Sequence, residues 1–235
     1  VLLVKILKTK IKIVEMRNLV KNISVSDGKL IQTVVSVYII GILGFLIPYT
    51  HNFFVDLTVL NLLFSVIVLF IATWADLKWQ HILIFILVYI LGYAIEVIGV
   101  NTSWPFGAYS YGDVLGVKLF DTPLFIGVNW LLLVLATNLM ARQRIDNRWL
   151  VPVVAATMML IFDIALEPFA IYTGMWSWEA LNVPFNNYLA WWIIAFFMHA
   201  LFVPLKFTQG GKVAHAVFLS QIVFFIIINL KNYFI

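Results

Sequence analysis

Seven stretches of mostly apolar residues follow one another along this chain, near 30–47, 53–73, 82–99, 123–141, 149–170, 188–207 and 213–230. An α-helix rises about 1.5 Å per residue, so roughly 20 apolar residues are what the hydrocarbon layer of a bilayer demands. The fold class expected is therefore an all-α integral membrane protein, a seven-transmembrane-helix bundle. Composition agrees: 63% of the residues are hydrophobic and 11% charged, against roughly 25% charged in soluble domains. The 235 residues suffice for one bundle and no second globular domain, which divides the chain into a basic amphipathic segment (1–29) and a membrane domain (30–235). The second run is interrupted by Asp56 and Asn61, while Pro48, Pro123, Pro152 and Pro204 fall near helix ends, where proline is tolerated.

The basic residues then orient the bundle. Counting alternate sides, one side carries thirteen: seven before the first run, then Lys78, then Arg142, Arg144 and Arg148, then Lys206 and Lys212. The other side carries Lys118 and Lys231. Positive charge is retained on the cytoplasmic side, so the N-terminus is expected inside and the C-terminus outside. This explains the net charge of +4 without nucleic acid as a partner. Residues 1–15, with Lys5, Lys8, Lys10 and Lys12, read either as an interfacial helix or as an extension outside the functional protein. They lack the long apolar core and small-residue site of a cleaved signal peptide. Cysteine is absent, which removes disulfides and thiolate metal sites.

The long connections 100–122 and 171–187 both fall on the outer side and resemble each other. Gly107-Ala-Tyr109-Ser-Tyr111 is echoed by Gly174-Met-Trp176-Ser-Trp178. A glutamate at a helix end precedes each (Glu96, Glu167), and a Val, a Pro, an Asn and a Trp follow each (Val117, Pro123, Asn129, Trp130; Val183, Pro184, Asn187, Trp191). Both segments run in one direction, so a parallel helix–loop–helix internal repeat is expected.

Acidic residues inside spans are costly and usually functional. Glu96 and Asp163 each lie roughly 21 Å from the inner ends of their helices, and Glu167 lies one turn above Asp163 on the same face. Asp56 is expected in the same outer third, with Asn61, Asn101, Asn129, Asn186 and Asn187. No Lys or Arg is placed to neutralise these acids. Burial and mutual repulsion then favour a retained proton on at least one of Glu96, Asp163 and Glu167, and a protonated carboxyl in an apolar pocket is a proton donor. Trp104, Phe106, Tyr109, Tyr111, Trp130, Trp176, Trp178, Trp191 and Trp192 gather near the same loops, more than an interfacial belt on one face requires. Desolvated aromatic faces stabilise cations by about 2 kcal/mol or more in favourable cases. Acid and aromatics together suit carbocation chemistry on an alkene. No metal site is expected: His51 lies in the first outer loop, His81 and His215 lie at inner helix ends, His199 reads as a hydrogen-bonded bundle residue, and no Asp-rich diphosphate motif occurs.

The run Glu96-Val-Ile-Gly-Val-Asn101-Thr-Ser-Trp104-Pro-Phe106-Gly-Ala-Tyr109-Ser-Tyr111-Gly, with Asp163-Ile-Ala-Leu-Glu167-Pro-Phe-Ala and Gly174-Met-Trp176-Ser-Trp178, resembles the carotenoid biosynthesis membrane family. That family includes the CruF-type carotenoid 1,2-hydratases acting on γ-carotene or bisanhydrobacterioruberin, and the resemblance spans about residues 30–230. It implies cofactor-independent addition of water to the terminal double bond of a ψ-end group. Asp163 or Glu167 is then expected as the acid and Glu96 as the group that positions water, with Asn101, Asn129 and Asn187 holding water or acids in place. The implied partner is a carotenoid entering from the lipid of the cell membrane. A lycopene-type cyclase begins with the same protonation but must exclude water, and the Asn set favours hydration. A proton-coupled transporter needs a polar path through both halves, whereas the inner half reads as nearly devoid of polar residues. A retinal Schiff base needs a lysine within the last helix, and 213–230 has none.

Overall fold

The computed structural model describes residues 25–180 and 182–234; residues 1–24, and with them the interfacial or extraneous role expected of 1–15, lie outside them. The described chain forms α1 (Asp27–Leu46), α2 (His51–Asp56), α3 (Thr58–Thr73) and α4 (Trp79–Thr102). Short strands β1 (Tyr109–Tyr111), β2 (Lys118–Leu119) and β3 (Thr122–Pro123) lead into α5 (Phe125–Arg142). Then come α6 (Val151–Tyr172), β4 (Trp176–Trp178), α7 (Phe185–Phe202) and α8 (Gly211–Phe234). Seven helices are long and apolar enough to cross a membrane, all except α2. The first begins at Asp27, and its start is capped by the Ser26 side chain.

The second apolar run does not form one helix from 53 to 73. It breaks at Leu57 into α2 and α3. Asp56, the last residue of α2, is exposed and does not line the cavity that holds Glu96, Asp163 and Glu167. Asp56 is thereby removed from the acid cluster expected of it.

Bonds between helix ends show that successive helices cross in alternate directions. At one end Asp76, after α3, accepts from the Thr208 and Gln209 amides at 2.6 and 2.9 Å, and the His81 ring meets the Lys206 carbonyl at 3.2 Å. At the other end Lys231 of α8 donates to the Phe45 carbonyl at 2.9 Å, closing the last turn of α1. The α5 helix is apolar almost all round and buried along nearly its whole length, the mark of a central helix. Phe45, Phe162, Phe169, Phe224 and Phe225 pack edge-on or tilted where α1, α6 and α8 meet.

The half of the bundle away from the strands is less bare of polar groups than expected. His199, fully buried, faces Thr137 at 3.2 Å and Asn138 at 3.4 Å. Arg142 bonds Asn138 at 2.6 Å and the Leu205 and Phe202 carbonyls at 2.9 and 2.6 Å. Arg142 is the last residue of α5 rather than a loop residue, and its guanidinium donates to carbonyls at and just beyond the end of α7. This is a tie between helix ends, and it matches the bundle role expected for His199.

On the charge count the strand-bearing end is expected outside. With no native cysteine, Val117→Cys should react with a membrane-impermeant maleimide on intact cells, and Asp146→Cys only after permeabilisation, both positions being exposed. The reverse pattern would overturn the orientation.

Candidate active site

The two echoed aromatic segments lie side by side. β1 and β4 pair antiparallel, with Tyr109 opposite Trp178, Ser110 opposite Ser177 and Tyr111 opposite Trp176. Flanking bonds are reciprocal: Gly112 N–H donates to the Met175 carbonyl at 2.9 Å and Glu179 N–H to the Ala108 carbonyl at 3.0 Å. Equivalent strands paired in this register are related by a local two-fold axis passing between the Ser110 and Ser177 hydroxyls, 3.3 Å apart. The indoles of Trp130 and Trp191, which correspond in the proposed repeat, stack at 4.2 Å between centroids and 20° between planes. This arrangement is what a parallel repeat about an axis along the bundle produces.

Beneath this ribbon hang the acids. Glu96 from α4 accepts from the Tyr109 and Tyr111 hydroxyls on Oε2, at 2.6 and 2.7 Å, and from Trp130 Nε1 on Oε1 at 2.9 Å. Glu167 from α6 accepts from Trp176 and Trp178 Nε1 on Oε2, at 3.0 and 3.1 Å, and from Asn187 Nδ2 on Oε1 at 3.4 Å. Each acid thus takes two donors from its own strand and one from the next helix. Burial and the neighbouring Glu96 carboxylate push the Tyr109 and Tyr111 phenols well above their usual range, so both stay protonated and donating.

The symmetry fails at one place. Asp163, one turn before Glu167, corresponds to Gly92, one turn before Glu96. A Cβ at Gly92 would stand 2.6 Å from the Trp130 side chain, so glycine there lets the indole reach Glu96. Asp163 takes one bond, from Asn187 Nδ2 to Oδ2 at 3.1 Å. Its Oδ1 is buried with no partner among the described residues. Glu96, Asp163 and Glu167 are 3%, 0% and 3% exposed, and none is ion-paired among the described residues. Lys118 turns instead to Asp113 and the Tyr111 carbonyl, each at 2.8 Å.

The three acids line one cavity of about 20 Å³, walled by Phe106, Tyr109, Tyr111, Trp176, Trp178 and Trp191, with Asn187. Such a volume holds about one water molecule. Ile126 and Trp176 are shared with a far larger cleft of about 340 Å³, lined chiefly by apolar residues of α1, α3, α5, α6 and α8. Ile40 and Leu60, 58% and 59% exposed, form part of its wall, so the cleft reaches the lipid-facing surface between α1 and α3.

Sequence reasoning named residues that this cavity does not gather. Asn101 is exposed and donates to the Val97 and Phe120 carbonyls at 2.8 and 3.3 Å, a local helix-end role. Trp104 is 67% exposed. Asn129 lines the large cleft, and Trp130 reaches the site only through Glu96 and the Trp191 stack. Asn186 is exposed, one position from buried Asn187. The cleft also holds Tyr38 and Gln221, which sequence reasoning passed over; a tyrosine and a glutamine interrupting apolar spans were the available signals. Among the described residues no three His, Asp or Glu side chains converge as metal ligands.

The chain matches the family described as carotenoid biosynthesis protein over residues 57–235. It is also 34% identical over 128 residues to the bisanhydrobacterioruberin hydratase of Haloarcula japonica, covering 51% of this chain and 43% of that protein. The chain thus aligns with less than half the length of that curated relative. No solved structure matches. The matched region takes in both acid-bearing helices and both aromatic strands, and the chain belongs to the carotenoid biosynthesis protein family, as a multi-pass membrane protein.

Proposed function

We propose that the chain is a carotenoid hydratase of the cell membrane, adding water to the terminal double bond of a ψ-end group. The observation that carries this reading is Asp163 Oδ1: the one oxygen of the three acids without a partner, in a water-sized cavity among aromatic rings. The polyene enters from lipid between α1 and α3, lies in the apolar cleft, and brings its end past Ile126 and Trp176. Such a substrate is scarcely present in water, so a side opening suits it.

Asp163 carries a proton on Oδ1 and gives it to the less substituted alkene carbon. The carbon–carbon π bond supplies the electron pair, leaving a tertiary cation. The faces of Trp176, Trp178 and Trp191 and the nearby carboxylates stabilise that cation. Glu96, fixed by three donors, orients the water that attacks it. The proton lost by the water passes to the carboxylates of the cavity and restores the acid on Asp163, so one water is consumed and the protein is unchanged. Asn187 bridges Asp163 and Glu167 and keeps the pair together.

Expression in cells that make lycopene or γ-carotene should give a product heavier by one water. A cyclised product of unchanged mass would instead establish a cyclase, in which an internal alkene captures the cation. No new product from either carotenoid would refute hydration of these end groups.

A further inference from the structure

The apolar cleft carries a second polar set, which the hydration chemistry does not use. Tyr38 on α1 has its hydroxyl 3.1 Å from Ser65 Oγ and 3.2 Å from Asn61 Nδ2, both on α3. Gln221 on α8 approaches the same hydroxyl. Three helices thus bring four uncharged polar side chains together, and Tyr38, Asn61 and Gln221 line the cleft. Tyr38, Ser65 and Gln221 are 4%, 0% and 3% exposed.

Two acceptors of this set are unpaired. Asn61 Oδ1 and Gln221 Oε1 are both buried without a partner among the described residues. A buried acceptor left unpaired is costly, and native proteins pair nearly all of them. An apolar cleft that needed only to hold hydrocarbon would be served better by Leu and Phe at these positions, as over the rest of its wall. What two carbonyl oxygens beside a phenol ask for is a donor, and what the surrounding wall asks for is a hydrocarbon chain.

We propose that Tyr38, Asn61, Ser65 and Gln221 form a hydroxyl-binding subsite for an isoprenoid chain lying in the cleft. The O–H of the ligand donates to Gln221 Oε1 or Asn61 Oδ1, and its oxygen accepts from the Tyr38 hydroxyl. The hydroxyl has two sources: a substituent already on the substrate, or the alcohol that hydration creates. This inference rests on the reading of the cleft as the polyene site, yet binding tests it separately from catalysis.

The experiment measures binding by purified protein in nanodiscs, using quenching of tryptophan fluorescence by three polyenes. They are the hydrocarbon lycopene, its 1-hydroxy derivative, which is the hydration product, and a polyene hydroxylated elsewhere that keeps an unreacted ψ-end. Gln221→Met and Tyr38→Phe each remove one hydrogen-bonding group at nearly constant volume. Each should weaken binding of at least one hydroxylated polyene about ten-fold and leave lycopene unchanged. Selective weakening of the third polyene identifies a substrate hydroxyl, and selective weakening of the 1-hydroxy compound identifies the product. Equal effects on all three, or none on any, would overturn the subsite while leaving the hydratase reading intact. Hydroxyl discrimination without a hydrated product in cells would keep the subsite and overturn the hydratase reading.

Discussion

Asp163→Asn should abolish hydration and leave the bundle folded. The substitution keeps the shape of the side chain, and its amide oxygen still accepts from Asn187 Nδ2, now at 3.1 Å from Oδ2. It removes the acidic proton from the oxygen that no protein group engages. General acid catalysis contributes about 10²–10⁴-fold, and without protonation there is no cation to hydrate, so turnover should fall by about 10³-fold or more. Stability should change little, because the protonated carboxyl and the amide are both neutral and nearly the same shape, and each presents a donor to the same unpartnered side of the cavity. Glu96→Gln behaves differently. Both Glu96 oxygens accept, one from two phenols and the other from Trp130 Nε1, so an amide NH₂ must face a donor. That variant should lose turnover and also melt earlier, by about 1–3 kcal/mol. Product formation in membranes and thermal unfolding in detergent read the two effects separately. Near-normal hydration by Asp163→Asn would sink its role as acid; if Glu167→Gln were then inactive, the proton source would move to Glu167.

The contrast between these acids shows what the sequence could and could not convey. The spans were legible because lipid requires long apolar runs, and six of the seven runs became single helices near their expected limits. The break at Leu57 was not, because a hydropathy average over about twenty residues does not register where one backbone hydrogen-bond ladder stops and the next begins. The two aromatic segments were legible as echoes. That they pair with each other, and so suspend Glu96 and Glu167 from one ribbon, depends on a register that only the folded loops define. The motif containing Glu96 also suggested Asn101 and Trp104, yet Asn101, in the last turn of α4, and Trp104, just beyond it, are both exposed. Adjacency in a motif records one stretch of chain, whereas the cavity is assembled from α4, α5, α6, α7, β1 and β4. The Tyr38 set was the least legible, since three helices far apart in sequence contribute one or two polar residues each.

Gly112→Ala should disrupt the ribbon and, through it, both acid sites. Gly112 follows β1, and a Cβ built there would overlap the Gly174 carbonyl oxygen. Backbone cannot rotate aside as a side chain can, and here it is doubly held. The Gly112 amide bonds the Met175 carbonyl at 2.9 Å, and the Met175 amide bonds the Ala170 carbonyl of α6 at 2.8 Å. Relief therefore requires β1 and β4 to separate, which draws the Tyr109 and Tyr111 hydroxyls off Glu96 and the indoles of Trp176 and Trp178 off Glu167. Overpacking of this kind costs about 1–3 kcal/mol, with the lost buried hydrogen bonds in addition. The variant should unfold at lower temperature and lose most of its turnover. Gly174→Ala supplies the control. No atom lies within 4 Å of its Cβ position, and its φ of +73° adds only the strain of a left-handed alanine, about 1 kcal/mol. Gly174→Ala should therefore keep activity at moderate temperature where Gly112→Ala does not. Equal loss in both would mean that glycine conformation alone governs the loops. Full activity in Gly112→Ala would mean that the ribbon does not hold the acids in their working positions.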